Sequence, residues 1–292
     1  MADRFEHIGV IGSGLMGSGI TEVCARAGLD VTVVEVDPAA AERGRARLEG
    51  SLATAVRRGK LPEEEAERAL ARVAYETDLG ALADRQLVVE AITEDERAKV
   101  ETFRTLDKVV AAGDAIFASN TSSIPIMKLA TVTSRPEQVV GLHFFNPVPV
   151  LRLVELVTSL MTSEETIARA SDFATGTLDK RVIRSQDRAG FIVNALLIPY
   201  LLSSIRMLES GFATRDDIDA GMVEGCAHPM GPLALADLIG LDTMQAVAES
   251  LYDEFKEQLY APPPLLLRMV EAGLLGRKSG RGFYEYAPKA AG

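Results

Sequence analysis

His7-Ile8-Gly9-Val10-Ile11-Gly12-Ser13-Gly14-Leu15-Met16-Gly17 runs from an apolar strand straight into a glycine-rich turn, and a stretch with helical spacing follows it through Ala27. The pattern is G-x-G-x-x-G in the setting that gives it meaning. The first glycine permits the tight turn, the second lets backbone approach a pyrophosphate, and the third allows helix and strand to pack closely. Leu15 and Met16 sit in the first turn of the helix, where unpaired N–H groups and the positive end of the dipole face an anion. Outward from this loop, β-rich runs alternate with helical ones. Val31–Val36, Leu87–Ile92, Ala115–Ser119 and Val139–Phe144 read as further strands. Strands alternating with helices predict an α/β fold, a doubly wound parallel sheet covered on both faces.

Residues 38–75 hold more helix than one crossover needs, and Gly59-Lys60-Leu61-Pro62 interrupts them, so a helical hairpin is expected after the second strand. Past Arg188 the strand signals stop. Residues 190–210, 214–226, 232–258 and 264–273 carry helical periodicity. Two domains are expected, 1–187 binding the nucleotide and 188–292 all-helical, which suits a chain of 292 residues. The uncharged run Ala189–Ile205 is broken by Asn194 and Pro199 and reads as a buried helix rather than a membrane span.

The net charge of −11 argues against nucleic acid and anionic membrane as partners. Cys24 and Cys226 lie far apart, in what read as apolar surroundings, without metal-type spacing, so neither a disulfide framework nor a metal site is expected. The acidic N-terminus enters a strand directly and does not read as a signal peptide. A cytoplasmic location follows from these features.

Glu35 ends the second strand 18 residues after Gly17, where a carboxylate can accept from a ribose diol and would repel a 2′-phosphate. NAD is therefore expected over NADP. Asp37, before Pro38, reads as a helix N-cap.

A general base has three candidates, because the chain holds only three histidines. His7 starts a strand, and His228 precedes the turn Pro229-Met230-Gly231-Pro232. His143 closes an apolar strand, at the end where open α/β sheets place ligands. Residues 151–157 (LRLVELV) form another strand pattern in which Glu155 is the sole acid. A buried carboxylate without a partner costs several kcal/mol, so Glu155 needs a cation or strong donor. An imidazole fits, since the carboxylate fixes its tautomer. Arg152 is the alternative partner, although strand alternation puts it on the opposite face. Upstream, Ser119-Asn120-Thr121-Ser122-Ser123 gathers short polar groups after a strand and reads either as a loop cap or as a site that orients a substrate oxygen.

Together these stretches resemble the 3-hydroxyacyl-CoA dehydrogenase family, the bacterial 3-hydroxybutyryl-CoA dehydrogenases among its members. The matching segments are IGSGLMGSGI, VVEAITED, FASNTSSIPI, GLHFFNPVPVLRLVELV, GFIVNALLIPY, HPMGPLALADLIGLD and GRKSGRGFYEY, in order along nearly the whole chain. The resemblance implies a Rossmann-type domain followed by a helical dimerisation domain, hence a homodimer. It implies a catalytic His–Glu pair at His143 and Glu155, with Ser122 and Asn194 on the substrate. Near NAD it places Glu94, Lys99, Asn120, Asn146 and Lys278, besides Gly12, Gly14, Leu15, Met16, Gly17 and Glu35. For Lys99 a solvated helix face is the competing reading. Ser51 and Arg58 match positions that contact coenzyme A, and Arg57 and Lys60 extend a basic cluster there. The family commonly has proline where this chain has Ala189, which is expected to loosen the hinge.

The implied reaction is reversible, NAD-dependent oxidation of an (S)-3-hydroxyacyl-CoA, short-chain as in 3-hydroxybutyryl-CoA, to the 3-ketoacyl-CoA, with the substrate between the domains. Two alternatives share the residues: a hydroxyacyl group on an acyl carrier protein, and a sugar acid, as in an L-gulonate-type dehydrogenase.

Overall fold

The computed structural model describes residues 5–287 and divides into two compact units between Arg188 and Ala189. The first unit holds β1 (His7–Ile11), α1 (Leu15–Arg26), β2 (Asp30–Val34), α2 (Pro38–Arg57), α3 (Glu63–Leu70), β3 (Val73–Glu76), β4 (Leu87–Glu90) and α4 (Glu96–Val109). It continues through β5 (Ile116–Ser119), α5 (Ile126–Ala130), β6 (Val139–Phe144), β7 (Leu153–Thr158), α6 (Glu164–Asp172) and β8 (Arg181–Gln186). The strands form one sheet in the order β3-β2-β1-β4-β5-β6-β7-β8. The strand order reverses between β1 and β4, so the crevice beyond their carboxyl ends is where this architecture binds ligands.

Burial explains the sheet. Every residue of β4, β5 and β6 is buried, and each fully buried Val, Leu, Ile or Phe contributes about 1.5–3 kcal/mol. The edges differ. In β3 and β8 half-buried and exposed residues mix, and β8 carries Arg181, Arg184, Ser185 and Gln186. Polar edges of this kind guard against strand addition, and they hide both strands from a reading based on apolar runs. The sheet is also not wholly parallel. β7 runs antiparallel to β6, placing Glu155 directly opposite His143, and β8 is parallel to β7.

The hairpin is α2 and α3. Asp37 caps α2 by accepting from the Ala40 N–H at 2.7 Å. The second strand stops at Val34, so Glu35 lies just beyond it rather than within it.

The second unit is α7 (Val193–Glu209), α8 (Arg215–Cys226), α9 (Pro232–Ile239), α10 (Leu241–Phe255) and α11 (Pro264–Glu271). Residues 232–258 are not one helical stretch. Gly240, at φ +102°, separates α9 from α10, and no side chain with a Cβ adopts that conformation cheaply. Around it, Asp237 accepts from the Phe283 and Tyr284 N–H groups, both at 2.9 Å, and from the Tyr286 hydroxyl at 3.0 Å. Asp219 accepts from Leu233 N–H at 2.8 Å and the Tyr284 hydroxyl at 2.9 Å. The HPMGPLALAD and GRGFYEY segments are thus fastened to each other by buried carboxylates. Ala189 has its own tie: its N–H donates to Glu254 at 3.0 Å. Proline has no such donor, so here the departure from the family pattern adds a bond.

Among the described residues no helix is long and apolar enough to cross a membrane. Cys24 is buried in the first unit, whereas Cys226 is exposed at the end of α8, contrary to the expectation of apolar surroundings.

Candidate active site

The glycine loop joins β1 to α1, and each glycine has a distinct reason. Gly12 takes φ +90°. A Cβ on Gly17 would fall 1.9 Å from the Gly12 carbonyl oxygen, and one on Gly14 would meet nothing within 4 Å. The backbone at Gly14 is therefore open on the side where a Cβ would stand, which leaves room for a phosphate. The start of α1 has neither a side-chain cap nor an acidic residue in its first turn, so its leading N–H groups suit an anion. Residues Gly12 to Gly17 fit a dinucleotide by this test. We expect Gly17→Ala to weaken NADH binding by about tenfold to a hundredfold, because overpacking against backbone costs about 1–3 kcal/mol. A fluorescence titration measures it, and unchanged affinity would separate the loop from cofactor binding.

Glu35 stands beside this loop. Its carboxylate accepts from the Ser13 N–H and, at 2.8 Å, from the Ser13 hydroxyl. The same loop is braced from α2, where Arg47 donates to the Ser13 carbonyl at 2.6 Å. A Cβ on Gly44 would lie 1.8 Å from the Ser13 hydroxyl oxygen, so α2 can approach only because residue 44 is glycine. Neither Arg47 nor Gly44 stood out in the sequence, since nothing in the linear order ties α2 to Ser13.

At the end of β6, His143 Nδ1 and Glu155 Oε2 are 2.7 Å apart. Glu155 is fully buried and the His143 side chain is 8% exposed. Antiparallel register creates the pair, because directly opposed residues on neighbouring strands point to the same face. A carboxylate only accepts, so Nδ1 carries the hydrogen and Nε2 is left as the basic nitrogen. The ring of Phe145 lies 4.6 Å from the imidazole, centroid to centroid. Arg152 does not compete for Glu155. It is exposed and pairs with Asp179 at 3.0 Å. His228 belongs to the turn after α8, where its Nδ1 is 3.1 Å from the Tyr200 hydroxyl. His7 lies at the start of β1, 3.9 Å from Asp30.

The polar run after β5 is gathered by Glu94. Its Oε1 accepts from the Thr121 hydroxyl at 2.5 Å, the Ser122 N–H at 2.9 Å and the Ser123 N–H at 3.1 Å. Burial works to raise the Glu94 carboxyl, but the Lys99 ammonium and these donors outweigh it and hold the group below the usual carboxylate range. Lys99 is not on a solvated face. It is 1% exposed, with its ammonium 2.6 Å from Glu90 and 3.3 Å from Glu94. Glu90, the sole acid of the Leu87–Ile92 strand pattern, is fully buried as well. Asn120 accepts from the Phe144 N–H at 2.9 Å, tying the end of β5 to the strand that carries His143. Asn146 is exposed in the loop after β6.

The Ser51 hydroxyl donates to Glu22 at 2.6 Å, and Arg58 is exposed at the end of α2. In the second unit, Asn194 is half-buried in the first turn of α7, and Lys278 pairs with Asp242 at 2.6 Å. Burial pushes the Cys24 thiol up to about 12, against a smaller opposing effect of Lys180, which leaves it unsuited to nucleophilic chemistry.

Residues 7–188 match the family model described as 3-hydroxyacyl-CoA dehydrogenase, NAD binding domain, and residues 190–286 match 3-hydroxyacyl-CoA dehydrogenase, C-terminal domain. The chain is 59% identical over 286 residues to a 3-hydroxybutyryl-CoA dehydrogenase of Mycobacterium tuberculosis, covering 98% of this chain and 100% of the relative. The crystal structure of M. tuberculosis FadB2 superposes with a TM-score of 0.97 at 59% identity, covering 98% of this chain and 100% of that one. That of (S)-3-hydroxybutyryl-CoA dehydrogenase PaaH1 from Ralstonia eutropha gives 0.91 at 45% identity, with coverage of 98% and 100%.

Proposed function

The chain belongs to the 3-hydroxyacyl-CoA dehydrogenase family, and from that premise we propose that it oxidises the 3-hydroxyl of a short-chain (S)-3-hydroxyacyl-CoA such as 3-hydroxybutyryl-CoA, reversibly and with NAD. The observation that carries the reading is the buried His143–Glu155 pair at the carboxyl end of β6, in the sheet whose β1 end bears the dinucleotide loop. Bound NAD supplies the hydride acceptor at nicotinamide C4. The residues of the chain do the rest. His143 takes the hydroxyl proton at Nε2, while Glu155 holds the ring and stabilises the imidazolium. As the O–H and C3–H bonds break, the C3–O single bond becomes the ketone, and the proton on His143 passes to solvent. Ser122 holds the substrate oxygen, and the family resemblance gives Asn194 a role in substrate binding. Glu35 selects the unphosphorylated ribose.

Coenzyme A is the favoured carrier, with Arg58, Arg57 and Lys60 as the cations that meet its phosphates. The test follows NADH consumption with acetoacetyl-CoA, the matching carrier-protein thioester and a free keto acid side by side, then repeats the best substrate with NADPH. The reading expects acetoacetyl-CoA with NADH to be turned over fastest, and Arg58→Ala to raise KM for it. Faster turnover of the carrier-protein thioester or of the free keto acid would replace the substrate assignment. A preference for NADPH would overturn the role given to Glu35.

The helical unit leaves the apolar side chains of Leu196 and Phe212 more than 70% exposed, and burying them would favour association. We assign this surface to a second copy of the chain, a homodimer to be checked by light scattering. The thiols of Cys24 and Cys226 suit a reducing cytoplasm.

A further inference from the structure

We infer that Glu90 is a positioning residue for the reaction, acting through a closed ring of polar contacts, buried at Glu90 and Lys99 and open to solvent at Glu94, on the turn that carries Ser122. The ring can be followed atom by atom. Glu90 Oε1 lies 2.6 Å from Lys99 Nζ, and Lys99 Nζ lies 3.3 Å from Glu94 Oε2. Glu94 Oε1 accepts from the Thr121 hydroxyl at 2.5 Å. The Thr121 N–H donates to the Ser119 hydroxyl oxygen at 3.2 Å, and that hydroxyl donates to Glu90 Oε2 at 2.6 Å. Glu90 also accepts from the Ile92 N–H at 2.8 Å, so its own carboxylate is clamped at the end of β4. Glu94 in turn accepts from the backbone N–H of Ser122.

Stability alone does not account for this arrangement. Glu90 and Lys99, 0% and 1% exposed, form a buried ion pair, and the second carboxylate, Glu94, is 33% exposed. Apolar replacement of a buried ion pair is often neutral or stabilising, because desolvation offsets the Coulomb gain. What the ring provides is geometry. It ties the ends of β4 and β5 and the start of α4 to one turn and leaves that turn little freedom. A displacement of about 1 Å at a reacting centre costs about a hundredfold in rate. The inference rests on the proposed function, since it takes Ser122 as the group that holds the substrate oxygen.

The test is a double-mutant cycle with E90Q, S122A and the double variant, reading kcat and KM for acetoacetyl-CoA, NADH affinity by fluorescence, and thermal midpoint. E90Q is expected to lower kcat by about tenfold to a hundredfold, and the fluorescence titration reads separately any change in NADH affinity that passes through Lys99 and Glu94. In the S122A background the same change should have almost no further effect on kcat, because the hydroxyl being positioned is gone. Effects that multiply would mean that Glu90 only supports the fold, and would overturn the inference while leaving the proposed function standing. If E90Q does not fold, S119A opens the same ring on its uncharged side and goes through the same cycle. Wild-type protein inert toward acetoacetyl-CoA, or S122A as fast as wild type, would overturn the proposed function and this inference with it.

Discussion

His143→Ala is expected to lower kcat for acetoacetyl-CoA reduction by about 10²–10⁴-fold, the usual contribution of a positioned acid–base group, with NADH affinity nearly unchanged. The split follows from where the residue sits. His143 lies next to the end of β6, three strands from β1 and the glycine loop, so its removal leaves Gly12 to Gly17 and Glu35 intact. Its imidazole is buried against Glu155 and Phe145, and alanine leaves the Glu155 carboxylate without this partner in the sheet interior. Some loss of stability should therefore accompany the loss of rate, on the order of 1–3 kcal/mol. Steady-state kinetics beside a fluorescence titration and a melting curve separate the two. Wild-type turnover in folded His143→Ala protein would sink the catalytic assignment.

Glu155→Gln is the subtler change and should be nearly as damaging. Glutamine has almost the same shape, so packing between β6 and β7 is kept. What changes is the information the side chain gives the ring. A carboxylate accepts only, which places the hydrogen on Nδ1 and leaves Nε2 basic. A carboxamide can turn its NH₂ toward Nδ1 instead, and the imidazole then carries its hydrogen on Nε2, where a base is needed. It also fails to stabilise the imidazolium. A fall in kcat of roughly 10²–10⁴-fold is expected, with the thermal midpoint close to wild type. A large drop in midpoint with kcat intact would make Glu155 a structural partner of His143 and nothing more.

Much of this was legible before any coordinates. The glycine loop, the helical hairpin around Gly59–Pro62, the acid near the end of the second strand and the all-helical C-terminal part are local patterns, and local patterns survive in one dimension. The pairing of His143 with Glu155 was legible for a different reason: a lone acid in LRLVELV demanded a partner. Other features had no such signal. β3 and β8 are edge strands, so they lack the apolar runs that betray a strand. Gly240 ends a helix by its backbone angle, and a glycine within an apolar helical pattern does not announce that. Glu90, by contrast, carries the same kind of signal as Glu155, an acid among apolar neighbours in LVVEAI, but only the fold shows that Lys99 and Ser119 answer it.

The sequence by itself determined the family and the residues from which its chemistry can be proposed: a dinucleotide turn, a histidine closing an apolar strand, a lone acid in the next strand, and a family resemblance spanning the chain. Tertiary structure decided how those groups are held. The antiparallel run of β7 sets Glu155 opposite His143 in register, a relation between strands that no spacing encodes. It also decided that Lys99 is buried rather than solvated and that Ser51 meets Glu22. Such contacts depend on which elements the sheet order brings side by side, and burial then makes an unpaired charge too costly to leave. Composition and periodicity report what each segment prefers, whereas the partner each polar group finds is settled only when the segments pack.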